Sequence, residues 1–327
     1  MTAQRPIFIV GCPRSGTTML QLMLHAHPRI AIPPETRFVL EGFRRRRHFG
    51  DLRRPEHRRA LAEWIVRRTE SRFVDLGLDA EEVIDAIVSG PPTLGAAFAA
   101  VFQAYSRKFG KPRWGDKRPA YINNLPVLLR LFPDAQIVHI IRDGRDCVAS
   151  LQEMPWHRRG IYQSISAWAR AIDHGRWAAR KLGPESYHEV RYEELVTDPE
   201  PQLRALCQFL GEEYDPAMTK PEELAHIAVP KHKTWHKRTH AEVGTDRIGT
   251  WRQRLRPWEI GLVEAVLGER LRAYGYELSG APEPSAGQRL RYELATGRHR
   301  LAPVRRLLGS LGPRRALAAP SSSSAPR

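Results

Sequence analysis

Cysteines are few in this sequence and long apolar runs are missing, and each absence excludes a class of protein. Only three of the 327 residues are cysteines, and their wide spacing at Cys12, Cys147 and Cys207 fits neither a disulfide framework nor a metal-binding motif. No apolar run approaches the roughly 20 residues that a membrane-spanning helix needs. The first apolar run is also too short for a signal peptide. We therefore expect a cytoplasmic protein with reduced thiols.

Acidic residues are outnumbered by basic ones. The chain has 52 lysines and arginines against 36 aspartates and glutamates, which gives a formal net charge of +16. Such an excess favours anionic partners. Nucleic acid is not an expected partner, because the sequence has no zinc-finger motif and no RNA-binding signature. Many of the arginines lie in residues 38–111, where some could bind an acidic acceptor, but most are expected on solvated helix faces.

A lysine is missing from the first motif, at a position where nucleotide-binding loops carry one. The apolar run 7–10 predicts a buried parallel strand, residues 11–16 form a glycine-bracketed loop, and a helix is expected from Thr17. Such a loop can cradle an oxyanion with backbone N–H groups and the helix N-terminus. The spacing is that of a P-loop, but Thr17 stands in the lysine position and the cation is Arg14, inside the loop. We infer a donor with one terminal anionic group and no required metal. An ordinary strand-to-helix turn is the alternative.

Glu35 is a candidate general base. It follows a short strand predicted at 29–32 and the stiff pair Pro33-Pro34, which favours extended backbone. Because strand ends in a parallel α/β sheet face the ligand crevice, the carboxylate is placed to take a proton from an acceptor. From these residues alone, a surface carboxylate is the simpler interpretation.

A second strand, turn and helix lies in the middle of the chain. The β-branched run 136–141 predicts a buried strand, with a helix from Cys147 onward. Arg142 lies at the end of that strand and Ser150 two turns along the helix, so both can meet one phosphate. A further strand is predicted at 188–192. The turn 247–252, with an arginine at each end, is a candidate lid over a nucleotide.

These elements predict a three-layer α/β, P-loop-like fold with a central parallel sheet flanked by helices. We expect one catalytic domain at 1–280, with a mainly helical insertion at 38–111. Beyond it, residues 281–327 are rich in Pro, Ala, Ser and Arg, which predicts a disordered or loosely helical tail. The basic apolar piece 300–315 could lie on an anionic membrane, although a solvated tail is the simpler interpretation. The sequence does not indicate an oligomeric state.

Together these motifs resemble those of the sulfotransferases that use 3′-phosphoadenosine 5′-phosphosulfate (PAPS). The loop 13–18 is similar to the family's loop for the 5′-phosphosulfate, and the pair Arg142 and Ser150 to its 3′-phosphate site. The segment 191–199 resembles the one whose tyrosine lies near the adenosine, and 247–252 the late loop that closes over the donor. The residues that the resemblance assigns to PAPS binding are Pro13, Arg14, Ser15, Gly16, Thr17, Thr18, Arg142, Ser150, Tyr192, Arg247, Gly249, Thr250 and Trp251.

Within the family the sequence is most similar to the protein-tyrosine sulfotransferases, which pair a PRSGTT loop with a Glu-Thr-Arg segment. The resemblance implies that Glu35 is the catalytic base and that Arg14 and Lys117 are catalytic cations. It also implies that Arg37 contacts the substrate. The chain departs from that branch at Pro34, where the branch has a further glutamate, and it shows no lumenal targeting segment. The expected acceptor is a tyrosine-like phenol, a sugar or another alcohol, acidic in character.

The expected reaction is in-line transfer of a sulfuryl group from PAPS to an acceptor hydroxyl, without a metal ion. The main alternative is a P-loop kinase or another nucleotide phosphotransferase. Against a kinase, the sequence lacks the P-loop lysine. The nearest candidates for acidic Mg²⁺ ligands are Asp143 and Asp146, in an arginine-rich turn. A non-catalytic basic binding protein would fit the charge but would leave Glu35 and Lys117 without a role.

Overall fold

Five parallel strands form the centre of the computed structural model, which describes residues 5–157, 160–224 and 243–300, excluding the side chains of 298–300. The strands are β1 (Ile7–Gly11), β2 (Ile30–Ala31), β3 (Arg113–Lys117), β4 (Gln136–Ile141) and β5 (Tyr187–Arg191). Their order in the sheet is β2-β3-β1-β4-β5, and every neighbouring pair is parallel. The predicted α/β fold with a central parallel sheet is confirmed.

Helices cover both faces of the sheet. They are α1 (Thr17–Ala26), α2 (Phe38–Arg45), α3 (Pro55–Arg67), α4 (Ala80–Ser89), α5 (Leu94–Lys108), α6 (Leu125–Leu131), α7 (Gly144–Gln152), α8 (Gly160–Leu182), α9 (Tyr192–Thr197), α10 (Pro199–Leu210), α11 (Trp251–Arg254), α12 (Pro257–Ala273) and α13 (Ala286–Arg300). Short 3-10 helices include Arg46–Phe49, Thr69–Ser71, Phe73–Leu76, Pro119–Asn124, Pro216–Thr219 and Pro221–Leu224.

The alternation of side chains along β1 explains the three layers. Phe8 and Val10 join a core with α2–α8 and α12, whereas Ile7 and Ile9 join a second core with α1 and α10. Successive strand residues point to opposite faces, so a strand that is apolar throughout must be covered on both sides. The described part of the chain contains no helix long and apolar enough to cross a membrane. All three cysteines are buried and form no disulfide.

Strand β3 was not predicted. Its residues Arg113, Asp116 and Lys117 are charged, yet all are buried. Partners distant in sequence satisfy them: the Arg113 guanidinium donates to the carbonyl oxygen of Leu210, at 2.6 Å, and forms an ion pair with Glu212 at 3.2 Å. Buried charges are tolerated when they are paired and hydrogen-bonded, so tertiary contacts override the polar composition of this strand.

The segment 38–111 is mainly helical and packs on the main core. Helices α3 and α4 pack together, and α5 lies against β3. The Phe102 ring stacks between Phe38 and Trp114, with centroid distances of 5.3 and 5.2 Å. The boundaries of a separate insertion and of the 1–280 domain stay predictions.

Of the two alternatives predicted for residues 281–327, a disordered or a loosely helical tail, disorder is wrong for residues 286–300, which form α13. This helix packs on α8 and buries Tyr292 and Thr296, which are one turn apart and therefore share a face. The Tyr292 ring meets Tyr162 at a centroid distance of 6.5 Å. The tail's high content of Pro, Ala, Ser and Arg predicts disorder, and two buried residues one turn apart are too weak a pattern to indicate a packed helix. Residues 301–327, which hold nearly all of the proposed membrane-contacting piece, lie outside the described residues.

Helix α1 fixes the segment that precedes Glu35. The Gln21 side chain donates to the carbonyl oxygen of Pro33 at 2.8 Å, and the backbone N–H of Ile32 donates to Nδ1 of His25 at 3.1 Å. Burial lowers the pKa of His25 to about 3, so its ring is neutral and can accept this hydrogen bond. Helix α1 therefore follows the loop 11–16 directly and, through Gln21 and His25, also holds the backbone that leads to Glu35.

Replacing Gly115 with alanine is expected to lower the free energy of unfolding by about 1–3 kcal/mol, because overpacking a filled core is destabilising. A Cβ at this position would lie 2.4 Å from the carbonyl oxygen of Ile7 and 2.5 Å from Cδ1 of Ile32. Urea denaturation measures the change. The control is Gly287→Ala on α13, where the nearest heavy atom to the new Cβ is 3.9 Å away. Equal unfolding free energies for the two variants would contradict the expectation.

Candidate active site

The loop between β1 and α1 has the shape of an anion cradle. Gly16 has a φ of 98°, and a Cβ there would lie 2.6 Å from the Tyr192 ring, so only glycine fits. The Ser15 hydroxyl donates to the carbonyl oxygen of Cys12 at 2.7 Å, which closes the loop on itself. Helix α1 begins at Thr17 without a side-chain cap. Its first N–H groups are thus not taken by a capping side chain, as a site for an oxyanion requires.

Two arginines meet behind this loop. Nε of Arg14 donates to the Ser150 hydroxyl at 3.0 Å, and Arg142 donates to the carbonyl oxygen of Arg14 at 3.2 Å. Burial, and then the neighbouring Arg142 guanidinium, lower the pKa of Arg14. A half-buried cation beside a buried one favours a bound anion, which would relieve their repulsion. The structure thus places the two predicted phosphate-binding motifs in direct contact, and the region around them is called the anion pocket below.

Arg142 itself has unused hydrogen-bonding capacity. Its guanidinium carbon lies 4.4 Å from the centre of the Tyr192 ring, and its buried Nε has no hydrogen-bond partner among the described residues. A buried donor without a partner is costly in a folded protein. A phosphate oxygen would satisfy it, and the assignment of Arg142 to a 3′-phosphate stays a prediction.

The late loop is anchored over this pocket by Asp146. The fully buried carboxylate accepts hydrogen bonds from the backbone N–H groups of Gly249 and Trp251, each at 2.8 Å, and from the Thr250 hydroxyl at 3.1 Å. The carbonyl oxygen of Arg247 accepts from Arg142 at 2.6 Å. The predicted lid residues therefore reach the pocket, and their roles in donor binding stay predictions.

Trp251 is turned away from solvent. Its side chain is buried, and the Arg145 guanidinium lies 4.1 Å from its ring centre. The ring is thus placed to hold the loop in position. A second tether joins Arg254 of α11 to Glu153, with contacts of 2.7 and 2.6 Å. The sequence analysis identified neither the Asp146 anchor nor the Arg254–Glu153 pair. It considered Asp146 only as a possible metal ligand.

The two aspartates of this region are both engaged with protein partners. Asp143 caps α7 by accepting from the N–H of Arg145 at 2.8 Å, and it pairs with the Arg145 guanidinium at 2.8 Å. Asp146 holds the late loop. Within the described ranges no group of three or more His, Cys, Asp or Glu side chains is placed to bind a metal ion. Both nearest candidates for the Mg²⁺ ligands of a kinase are thus bonded to protein groups.

Glu35 and Lys117 meet at the carboxyl ends of β2, β3 and β1. Nζ of Lys117 lies 3.3 Å from Oε2 of Glu35 and 3.4 Å from Oγ1 of Thr18. The Lys117 side chain is 4% exposed and that of Glu35 25%, so the lysine is buried and the carboxylate reaches the surface of the cleft. The structure thus brings the predicted base, the predicted lysine and the anion loop into one cluster.

Arginines surround the outer side of this cluster. Arg37 is exposed, and Arg118 donates to its carbonyl oxygen at 3.4 Å. Partial burial, and then Arg72 in the insertion, lower the pKa of Arg37, while the Glu35 carboxylate acts in the opposite direction. Arg72 adopts a φ of 61°, which is unusual for a non-glycine residue. The sequence pointed to Arg37 alone, because nothing in it placed Arg72 or Arg118 nearby.

A parallel sheet, an arginine-bearing anion loop and a carboxylate–lysine pair facing it define a P-loop-like α/β transferase. The comparison with known families makes this specific. A sequence model described as the sulfotransferase family matches residues 6–216, and the chain belongs to that family. The resemblance inferred from the motifs is confirmed.

Several relatives carry the name protein-tyrosine sulfotransferase. The chain is 30% identical over 226 residues to the Drosophila melanogaster protein, covering 67% of this chain and 40% of the relative. It is 27% identical over 297 residues to protein-tyrosine sulfotransferase 1 of Danio rerio, covering 86% and 75%. A nodulation protein, NoeE of Sinorhizobium fredii, is 27% identical over 320 residues, covering 90% and 71%. The chain thus spans well under two thirds of the Drosophila relative's length.

Solved sulfotransferase domains share the fold. The domain from the Synechococcus PCC 7002 olefin synthase matches with a TM-score of 0.58 at 23% identity, covering 85% of this chain and 98% of that one. The domain from the curacin biosynthetic pathway matches with a TM-score of 0.56 at 20% identity, covering 84% and 98%.

Proposed function

We propose that the protein transfers a sulfuryl group from PAPS to a hydroxyl group of an acidic acceptor, with Glu35 as the general base. The observation that carries the proposal is the position of Nζ of Lys117 between Glu35 and Thr18. This lysine joins the acceptor side to the anion loop, so a sulfuryl group held by the loop would lie next to the base.

Each residue of the cluster has a defined part in the transfer. Glu35 takes the proton of the acceptor hydroxyl as its oxygen bonds to sulfur, and the bond between sulfur and the 5′-phosphate oxygen breaks. Adenosine 3′,5′-bisphosphate leaves with the electron pair of that bond. Arg14 and Lys117 face the charge that develops on the sulfuryl oxygens and the leaving oxygen. Ser15 to Thr18 contribute hydroxyls and backbone N–H groups.

The donor is proposed from the second half of the pocket. Arg142, with its buried unpartnered Nε, and Ser150 would hold a 3′-phosphate, which PAPS carries and ATP lacks. Tyr192 lies against both Gly16 and Arg142, which suits contact with the adenosine. In this arrangement Arg14 would face the 5′-phosphosulfate of the donor, and Arg142 would face its 3′-phosphate.

The acceptor is proposed from the charge around Glu35. Arg37, Arg72 and Arg118 make the mouth of the cleft basic, which favours an acceptor with a negative charge near its hydroxyl. Together with the names of the relatives, this points first to a tyrosine in an acidic peptide, with sugars and other alcohols as further candidates. A cytoplasmic location stays a prediction.

Adenosine 3′,5′-bisphosphate is expected to raise the melting temperature more than ADP does, with both ligands tested in the absence of metal. A ligand that binds only the folded state stabilises it by about 2.7 kcal/mol at 100 times its Kd. Differential scanning fluorimetry measures the shift. A larger shift with ADP, growing on addition of Mg²⁺, would replace the proposal with the kinase alternative.

A further inference from the structure

Asp116 lies directly behind the Glu35–Lys117 pair. It precedes Lys117 on β3, and its side chain is fully buried. Among the described residues, each of the other buried carboxylates forms an ion pair with an arginine, whereas Asp116 forms none. Oδ2 accepts the Thr36 hydroxyl at 3.3 Å. Thus two consecutive residues of β3 contact two consecutive residues of the loop after β2: Lys117 bonds to Glu35, and Asp116 bonds to Thr36.

The remaining partners of Asp116 are also donors. Oδ1 accepts the backbone N–H of Lys117 at 2.8 Å, and Oδ2 accepts the hydroxyl of Tyr121 in addition to that of Thr36. An ionised carboxylate only accepts hydrogen bonds, so it matches these three donors. A protonated carboxyl brings a donor of its own, so it matches less well a set of partners that all donate.

We propose that Asp116 is a positioning residue: its ionised carboxylate holds Thr36 and thereby keeps Glu35 against Lys117, so that turnover falls when Asp116 is protonated. This inference rests on the proposed role of Glu35 as the base. It assigns Asp116 no contact with substrate. Its effect is expected on kcat and not on donor binding, because neither Arg14 nor Arg142 contacts it through a described hydrogen bond.

The surroundings of Asp116 place its titration close to neutral pH. The net effect raises the pKa of Asp116 to about 7: burial raises it most, the Tyr121 hydroxyl and the Lys117 N–H lower it, the Glu35 carboxylate raises it and the Lys117 charge lowers it. Arg118 faces Tyr121 at the start of the adjoining 3-10 helix. The carboxylate form is therefore gained as pH rises through about 7, and kcat is expected to rise with it.

The test follows kcat against pH with saturating PAPS and an acidic tyrosine-containing peptide as acceptor. Wild type is expected to show an inflection near neutral pH. In Asp116→Asn the amide mimics the protonated acid, so that inflection should vanish and kcat should stay about fivefold to tenfold below the wild-type upper limit, as the loss of one hydrogen bond predicts. Stabilisation by adenosine 3′,5′-bisphosphate should be retained, which shows that the variant is folded.

A second variant addresses the identity of the titrating group. Tyr121→Phe removes a hydrogen bond that lowers the pKa of Asp116, so the inflection should move to higher pH while its amplitude persists. Thr36→Val removes only the link between Asp116 and the base, so kcat at high pH should fall to the level of Asp116→Asn and the inflection should vanish, although Asp116 itself still titrates. An inflection unmoved in both Asp116→Asn and Tyr121→Phe would overturn the inference.

An infrared titration separates this inference from the proposed function. Wild type should show a carboxylic acid C=O band that is lost between about pH 6 and pH 8, and Asp116→Asn should lack it. The measurement needs no acceptor. A chain that binds the bisphosphate but does not sulfate the peptide would contradict the proposed acceptor, and the absence of the infrared band would then still overturn the assignment of Asp116.

Discussion

Replacing Glu35 with glutamine is expected to lower kcat by about 10²–10⁴-fold, the usual contribution of a positioned general base. The amide keeps the size of the side chain and can still accept a hydrogen bond from Lys117, which lies 3.3 Å from the carboxylate. It cannot take the acceptor proton. PAPS-dependent sulfuryl transfer to the acidic tyrosine peptide gives kcat, and calorimetric titration with adenosine 3′,5′-bisphosphate should give an unchanged Kd.

The matched control is Glu41→Gln on α2, two turns further along the chain. Among the described residues, Glu41 pairs with the exposed Arg44 and Arg45 alone, at 3.3 Å each, within its own helix. Its replacement should leave kcat unchanged, since surface ion pairs contribute little. If Glu35→Gln turned over as fast as this control, Glu35 would have no part in the chemistry.

Arg142→Ala is expected to weaken binding of adenosine 3′,5′-bisphosphate by about 1.5–3 kcal/mol, the range for hydrogen bonds to charged groups, or about 10- to 150-fold in Kd. Binding of 5′-AMP, which has no 3′-phosphate, should weaken much less. The reason is the orientation of Arg142: its Nη atoms are used by the carbonyl oxygens of Arg14 and Arg247, and its Nε is left for the ligand. Calorimetric titration of both nucleotides measures the difference.

Two further variants sharpen this test. Arg142→Lys keeps the charge but loses the planar fork, so it should recover only part of the affinity. Arg256→Ala removes an exposed arginine that pairs with Glu259 at 2.9 Å outside the pocket, and it should bind as wild type does. Equal losses for the bisphosphate and 5′-AMP in Arg142→Ala would show that Arg142 does not bind the 3′-phosphate.

The parts of the fold that rest on local patterns could be predicted from the sequence. The apolar run of β1, the glycines of its loop and the periodicity of α1 are all local signals, as is the β-branched run of β4. Strand β3 carries no such signal, because its Asp116 and Lys117 are stabilised in the core by side chains far away in sequence. Tertiary contacts of this kind are invisible to a local pattern.

The candidate site likewise contains residues that the sequence could identify and residues that it could not. The residues on motif loops, such as Arg14 and Arg142, were identified from spacing and family resemblance. Their supports were not, because Asp116 bonds to Thr36 across 80 residues and Asp146 to Gly249 across 103. A buried carboxylate that anchors a distant loop looks, in sequence, like any other acidic residue beside a cation.

Helix α1 would be a common support for the proposed donor and base, since the anion loop leads into its first turn while Gln21 and His25 hold the backbone before Glu35. Transfer requires the reacting atoms to be about 3–3.5 Å apart, and a single rigid helix keeps this spacing independent of the helices α2–α5. Those helices and the adjoining Arg72 can thus diverge to suit a new acceptor while the reaction geometry is preserved. In evolutionary terms, the proposed function would separate the part of the chain that recognises the acceptor from the part that reacts.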